Sequence, residues 1–222
     1  MKYSEFLNIL QSKAEPNFAD FQRKLIFTKY KILGVRTPTL RMLAKEFQES
    51  LEEVFHYPNE YYEVVFIKLT IVSMLPYEKF LKCLDDSVAL IDNWALCDSF
   101  KAKCIKKHLD EFLPILDKIF QNGGVYHVRY VLVTLLSFYC DGKYLTELSG
   151  YIVKADTSKY YVHMAVAWLT AELLIKQYEY GVMLLKNNDL DEKTHNKAIQ
   201  KAVESYRLST SKKEYLRTLK IK

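Results

Sequence analysis

Beyond Thr39, apolar residues return at three- and four-residue steps, the period of an α-helix that buries one face, and short polar breaks separate the runs. Strands find little support. A first helix begins at Pro38, with Thr37 as its N-cap and Leu40, Leu43, Ala44 and Phe47 on its apolar face. Residues 61–75 make a second helix, stopped by Pro76, and residues 77–91 a third. Asp92 or Asn93 then caps a fourth, expected to start at Trp94 and run toward Lys107. Residues 109–120 follow, and Gly123-Gly124 precedes a helix over 125–140 that is apolar on most sides and therefore central. Asp141-Gly142 ends it. The pattern continues over 145–153, over 159–177 with Ser158 as cap, and over 178–187, 192–206 and 212–220. The expected fold is all-α. Helix pairs recurring at about 35–45 residues without sequence identity suggest HEAT-like repeats in a curved α-solenoid with a concave face. A compact irregular bundle is the competing architecture.

Composition supports this reading. Half of the 222 residues are hydrophobic, enough for one continuous core and a single domain over 1–222. Only 6 glycines and 5 prolines interrupt the chain, which favours long helices. Cys83, Cys97, Cys104 and Cys140 form no C-x-x-C pair, so reduced, buried thiols are expected. The first residues lack an apolar leader, and Lys68 breaks the longest apolar candidate for a membrane span, which points to the cytoplasm. Net charge is +5, all of it accounted for by residues 191–222 with nine Lys/Arg against four Asp/Glu. Residues 13–45 hold eight Lys/Arg against two acids, and Lys101, Lys103, Lys106 and Lys107 form a third cluster. Separate basic patches of this kind can follow a phosphate backbone, although solvated helix faces produce the same pattern.

Candidate chemistry gathers at four residues. Trp94 and Asp98 are one helical turn apart, and an Asp in the first turns of a helix is stabilised as an anion. Arg129 follows Trp94 by 35 residues and Trp168 follows Arg129 by 39, intervals close to one helical repeat, so all four are expected on one surface. A carboxylate between aromatic faces with a guanidinium nearby suits a cationic or sugar-like substrate. The competing explanation is structural: tryptophans in helices are commonly core residues, and an Asp98–Arg129 salt bridge could simply join two repeats. His127, His163 and His195 have no common metal-ligand spacing, and no P-loop, Rossmann or G-x-S-x-G pattern occurs. The 17 tyrosines, including Tyr61-Tyr62 and Tyr160-Tyr161, are read first as helix-packing residues.

With these residues in place, the chain resembles the DNA alkylation repair proteins of the AlkD-like type, HEAT-like repeat DNA glycosylases, over nearly its whole length. Gly34-Val35-Arg36-Thr37-Pro38, followed by Leu40-Arg41, is similar to the family's N-terminal signature. Asp92-Asn93-Trp94-Ala95-Leu96-Cys97-Asp98 carries its W-x-x-x-D element. Val128-Arg129-Tyr130-Val131-Leu132 resembles the segment with the active-site arginine, and Ala165-Val166-Ala167-Trp168 the one with the second tryptophan. His195-Asn196-Lys197-Ala198-Ile199-Gln200-Lys201 resembles a C-terminal block of many relatives.

The resemblance implies a monofunctional DNA glycosylase that hydrolyses the N-glycosidic bond of N3- or N7-alkylated purines, a reaction needing no metal or cofactor. Asp98 would be the catalytic carboxylate, Trp94 and Trp168 would flank the damaged nucleotide, and Arg129 would contact the backbone beside it. Arg36, Arg41, Lys197 and Lys201 are the candidate DNA contacts, and the concave face becomes the DNA-binding face. The implied partner is double-stranded DNA containing alkylated bases, bound by a monomer away from any membrane, with the lesion left stacked in the duplex. One branch of the family binds DNA without excising the base because a short N-terminal DNA-contacting helix is altered or missing. A noncatalytic DNA-binding protein is therefore the alternative, and the basic segment 14–33, which can form such a helix, is where the two readings part.

Overall fold

Helices supply all of the regular structure. Residues 1–221 are described by a computed structural model, and among them are fourteen α-helices, three 3-10 turns and no strand. The chain divides into two units, Met1–Lys107 and His108–Lys222. The first holds α1 (Tyr3–Ser12), α2 (Pro16–Leu25), α3 (Thr37–Glu46), α4 (Leu51–His56), α5 (Tyr62–Ser73), α6 (Tyr77–Ala89) and α7 (Trp94–Ser99). The second holds α8 (Leu109–Gln121), α9 (Val125–Phe138), α10 (Leu145–Lys154), α11 (Tyr160–Lys176), α12 (Tyr178–Lys186), α13 (Glu192–Glu204) and α14 (Thr210–Thr218).

In the first unit α5 is the axis. Every side chain from Tyr62 to Leu69 is buried, so no face is left for solvent, and α3, α4, α6 and α7 pack around it. Its buried lysine and glutamate are both held by hydrogen bonds. Lys68 Nζ donates to Phe55 O at 3.0 Å, Tyr57 O at 2.6 Å and Asn59 Oδ1 at 2.7 Å, closing the connection from α4, and burial pushes its pKa down to about 8. Glu63 accepts from the backbone N–H groups of Leu33, Gly34 and Val35, with the shortest of these bonds 2.8 Å. It thereby fixes the loop that carries Arg36. Gly34 in that loop has φ +92°, and a Cβ there would lie 2.5 Å from Glu15 O and 2.7 Å from Ala19 N. Only glycine lets the loop meet the start of α2 so closely.

In the second unit α11 is central, with eleven buried residues, and α9, α10, α12 and α13 pack on it. The centre expected for the helix after Gly124 is thus shared between α9 and α11. Hydrogen bonds repeat at a fixed interval: Tyr144 to Asp110, Tyr151 to Asp117, Tyr180 to Leu145 O and Arg207 to Glu172 span 34, 34, 35 and 35 residues. Equivalent positions of successive helix pairs touch, which is the signature of a stacked helical repeat.

Several sequence expectations need correction. Arg36, with extended backbone, is the N-cap of α3, while Thr37 and Pro38 are already helical. Lys159 occupies the cap position of α11, and Ser158 instead donates its N–H to Asp156 Oδ1 at 3.1 Å. The last helix begins earlier than expected because Ser209 caps it by accepting from Lys212 N–H. The helix at Trp94 stops at Ser99 and does not reach Lys107, where residues 103–107 form a 3-10 turn. One helix, α1, went unread, while α2, opened by Pro16, falls within the 14–33 segment read as able to form a helix. No disulfide joins the four cysteines; Cys97 and Cys140 are buried, whereas Cys83 and Cys104 are only half-buried.

Candidate active site

Trp94 and Asp98 stand on α7, a helix of six residues too short to persist without its cap. Asn93 supplies that cap. It is fully buried, and its Oδ1 accepts from the N–H groups of Ala95 and Leu96, each at 3.0 Å. Its Nδ2 donates to Asp92 Oδ1 at 2.7 Å, and Asp92 in turn accepts from Thr28 Oγ1 and from Lys29 N–H, both at 2.8 Å. The capping turn is therefore tied to the segment leaving α2. Trp94 makes a second tie, donating its indole N–H to Leu25 O, at the end of α2, at 3.1 Å. The indole is aimed by an orphan carbonyl of a helix terminus.

These ties enclose a cavity of about 270 Å³. Phe18, Phe21 and Gln22 of α2 form one wall, Tyr62 and Phe66 of α5 another, and Trp94 with Asp98 a third. Asp98 and Trp94 are half-buried and Phe21 is exposed, so the chamber is reached from solvent. Because α7 ends at Ser99, Asp98 lies in its last turn, and the expected stabilisation by a helix N-terminus does not apply. A half-buried carboxylate among aromatic rings favours a positively charged guest, since little water screens the attraction.

In the second unit Arg129 is buried in α9, and its Nη1 donates to Tyr161 O, near the start of α11, at 2.8 Å. Trp168 lies mid-way along α11, half-buried, and lines a cavity of about 210 Å³ with Glu172, Lys201, Glu204 and Arg207. Glu172 there accepts a bidentate pair from Arg207, at 2.9 and 2.6 Å, and lies 3.2 Å from Lys176 Nζ. The Arg207 hydrogen bonds hold the Glu172 carboxyl below its ordinary pKa, against the burial that raises it, and Lys176 adds to the lowering.

The predicted DNA contacts divide between the units. Arg36 is exposed and pairs with Glu15 at 2.7 Å, its guanidinium 4.1 Å above the Phe18 ring, which clamps α2 onto the Gly34 loop. Arg41 is exposed one turn further along α3. Lys197, half-buried on α13, donates to Gln200 Oε1 at 2.9 Å, and Lys201 joins Trp168. The structure thus brings Trp94 to Asp98 and Trp168 to Lys201. His163 and His195 are buried, with Thr194 Oγ1 and Leu219 O as partners, and His195 Nδ1 is left without one. Gln22 and Arg207 went unread in the sequence, and Asp92 was read only as a candidate cap, which the structure gives to Asn93. For Gln22 a signal existed: it lies at helical spacing from Phe18, Ala19 and Ile26, a polar residue on an apolar stripe.

A model of the family described as DNA alkylation repair enzyme matches residues 7–205. The chain belongs to that family, which supports a role in DNA alkylation repair with DNA as the substrate. A search of curated proteins finds no match.

Proposed function

We propose that the protein is a monofunctional DNA glycosylase releasing N3- or N7-alkylpurines from duplex DNA, acting as a monomer. The observation that carries this reading is the shared chamber of Asp98 and Trp94, with α2 as its wall. The noncatalytic branch of the family lacks or alters its N-terminal DNA-contacting helix; here α2 is a complete helix bonded to the Trp94 turn, which favours excision over binding alone.

A purine alkylated at N3 or N7 already bears the positive charge that a general acid would otherwise supply. Its bond to C1′ breaks with the electron pair moving onto the base, and a positive, oxocarbenium-like sugar remains. Where most glycoside hydrolases need two carboxyl groups, one can then suffice. At ~4 Å and an effective dielectric of about 20, a carboxylate and a unit positive charge attract by about 4 kcal/mol. Realised only in the transition state, that corresponds to roughly a thousandfold in rate. Asp98 supplies this term, and Trp94 presents its face to the cationic nucleotide. Trp168 and Arg129 keep the roles that the family resemblance implies, an aromatic wall and a backbone contact. Arg36, Arg41, Lys197 and Lys201 bind phosphates.

Incubating the protein with N-methylated duplex DNA and separating the liberated bases by chromatography tests this reading. Free 7-methylguanine or 3-methyladenine is expected. Salt-dependent duplex binding with no base released would leave the noncatalytic reading standing instead.

A further inference from the structure

Gln22 is 94% buried in helix α2, and its Oε1 has no hydrogen-bond partner in the protein. An orphaned buried acceptor costs about 1–3 kcal/mol, so its retention beside an apolar core calls for a donor from outside. Gln22 lines the chamber of Trp94 and Asp98. We propose that Gln22 is a positioning residue for the hydrolytic water, its amide oxygen and the Asp98 carboxylate together orienting the molecule that attacks C1′. The inference rests on the glycosylase reading above.

The chemistry asks for such a group. A bound water needs at least two polar partners, and a carboxylate alone takes one O–H and leaves the lone pair undirected. Most of the chamber wall is aromatic or aliphatic. Thr37 and Ser99 also line it, but a hydroxyl can turn to donate or accept, whereas an amide oxygen only accepts. A sphere of this volume is about 8 Å across, and two hydrogen bonds through one water span about 5–6 Å. The oxygen is buried as placed, and the broad terminal amide torsion gives it a way to turn toward the chamber. In the step itself the C1′–N bond breaks with its electrons going to the alkylpurine, which leaves neutral. The water oxygen then bonds to C1′, and its proton passes to Asp98 and on to solvent.

The test compares wild type, Gln22→Met and Gln22→Glu on duplexes carrying 7-methylguanine or 3-methyladenine, reading duplex affinity, Tm and single-turnover release. Met matches Gln in length and removes the orphan, so Gln22→Met should keep or raise Tm and leave affinity unchanged. Release of both bases should slow by about 100-fold, the scale of a misplaced reactant. Gln22→Glu retains an acceptor and should stay within about tenfold of wild type. Wild-type rates from Gln22→Met, a loss confined to one of the two bases, or equal losses from Met and Glu would each overturn the inference while leaving the glycosylase reading intact. No release by wild type would remove both.

Discussion

The cavity beside Trp94 and the one beside Trp168 are of similar size, about 270 and 210 Å³, yet almost opposite in lining. Around Trp94 are Phe18, Phe21, Tyr62 and Phe66, with Asp98 the one acidic or basic side chain among the lining residues. Around Trp168 are two acids and two bases, Glu172, Glu204, Lys201 and Arg207, with Glu172 and Arg207 already joined. An indole does not define a site by itself; its neighbours do. Aromatic rings around one carboxylate leave little water to screen an incoming cation, whereas the second cavity sets acids beside bases. The first setting suits bond breaking and the second suits holding a polyanion.

Substitutions can break or sharpen this contrast. Trp94→Ala removes the face offered to the cationic nucleotide and the tie to Leu25, and is expected to slow base release by about 30-fold or more, from ~2 kcal/mol of lost cation–π attraction. Single-turnover chromatography checks this, and Trp168→Ala should act more on duplex affinity than on the rate. Asn93→Ala removes two capping bonds from a six-residue helix. A loss of about 1–2 kcal/mol is expected, a fall of about 2–8 °C in Tm by calorimetry. Release should slow as well, because Asp98 depends on that helix for its place.

The smallest effect belongs to Arg207→Met. Duplex affinity should fall only a few-fold, and the slope of log affinity against log salt should become shallower by about 1 if Arg207 meets a phosphate. The same variant has a pH signature. Glu172 has a lowered folded pKa, so the stability it contributes is complete above its unfolded value near 4.5 and disappears as pH falls through the folded value. Acid titration of the folded state should therefore show a loss in wild type that is blunted in Arg207→Met. Arg207 is half-exposed, which limits the pair to about 1 kcal/mol.

Much of this was legible in the sequence, for identifiable reasons. Helix periodicity placed every helix from α3 onward except the short α4, and the cap at Asn93 could be read because a short polar side chain precedes the first periodic residue. The end of α7 could not: neither glycine nor proline marks Ser99, and the stop comes from tertiary packing of Phe100, which is buried against Phe80. The link from Glu172 to Arg207 was hidden because 35 residues separate them, although that interval is the repeat itself. The place of α2 in the wall around Asp98 was illegible for a similar reason. Its bond to Trp94 is made to a residue 69 positions along the chain, and only the fold shows that a basic N-terminal stretch completes the wall around Asp98.

The most direct test of the account is a duplex with a single 7-methylguanine, treated in parallel with wild type and Asp98→Asn under single-turnover conditions. Asn preserves size and hydrogen bonding but not charge. The account predicts unchanged duplex affinity and a loss of about a thousandfold in base release. Release at the wild-type rate from Asp98→Asn would contradict it.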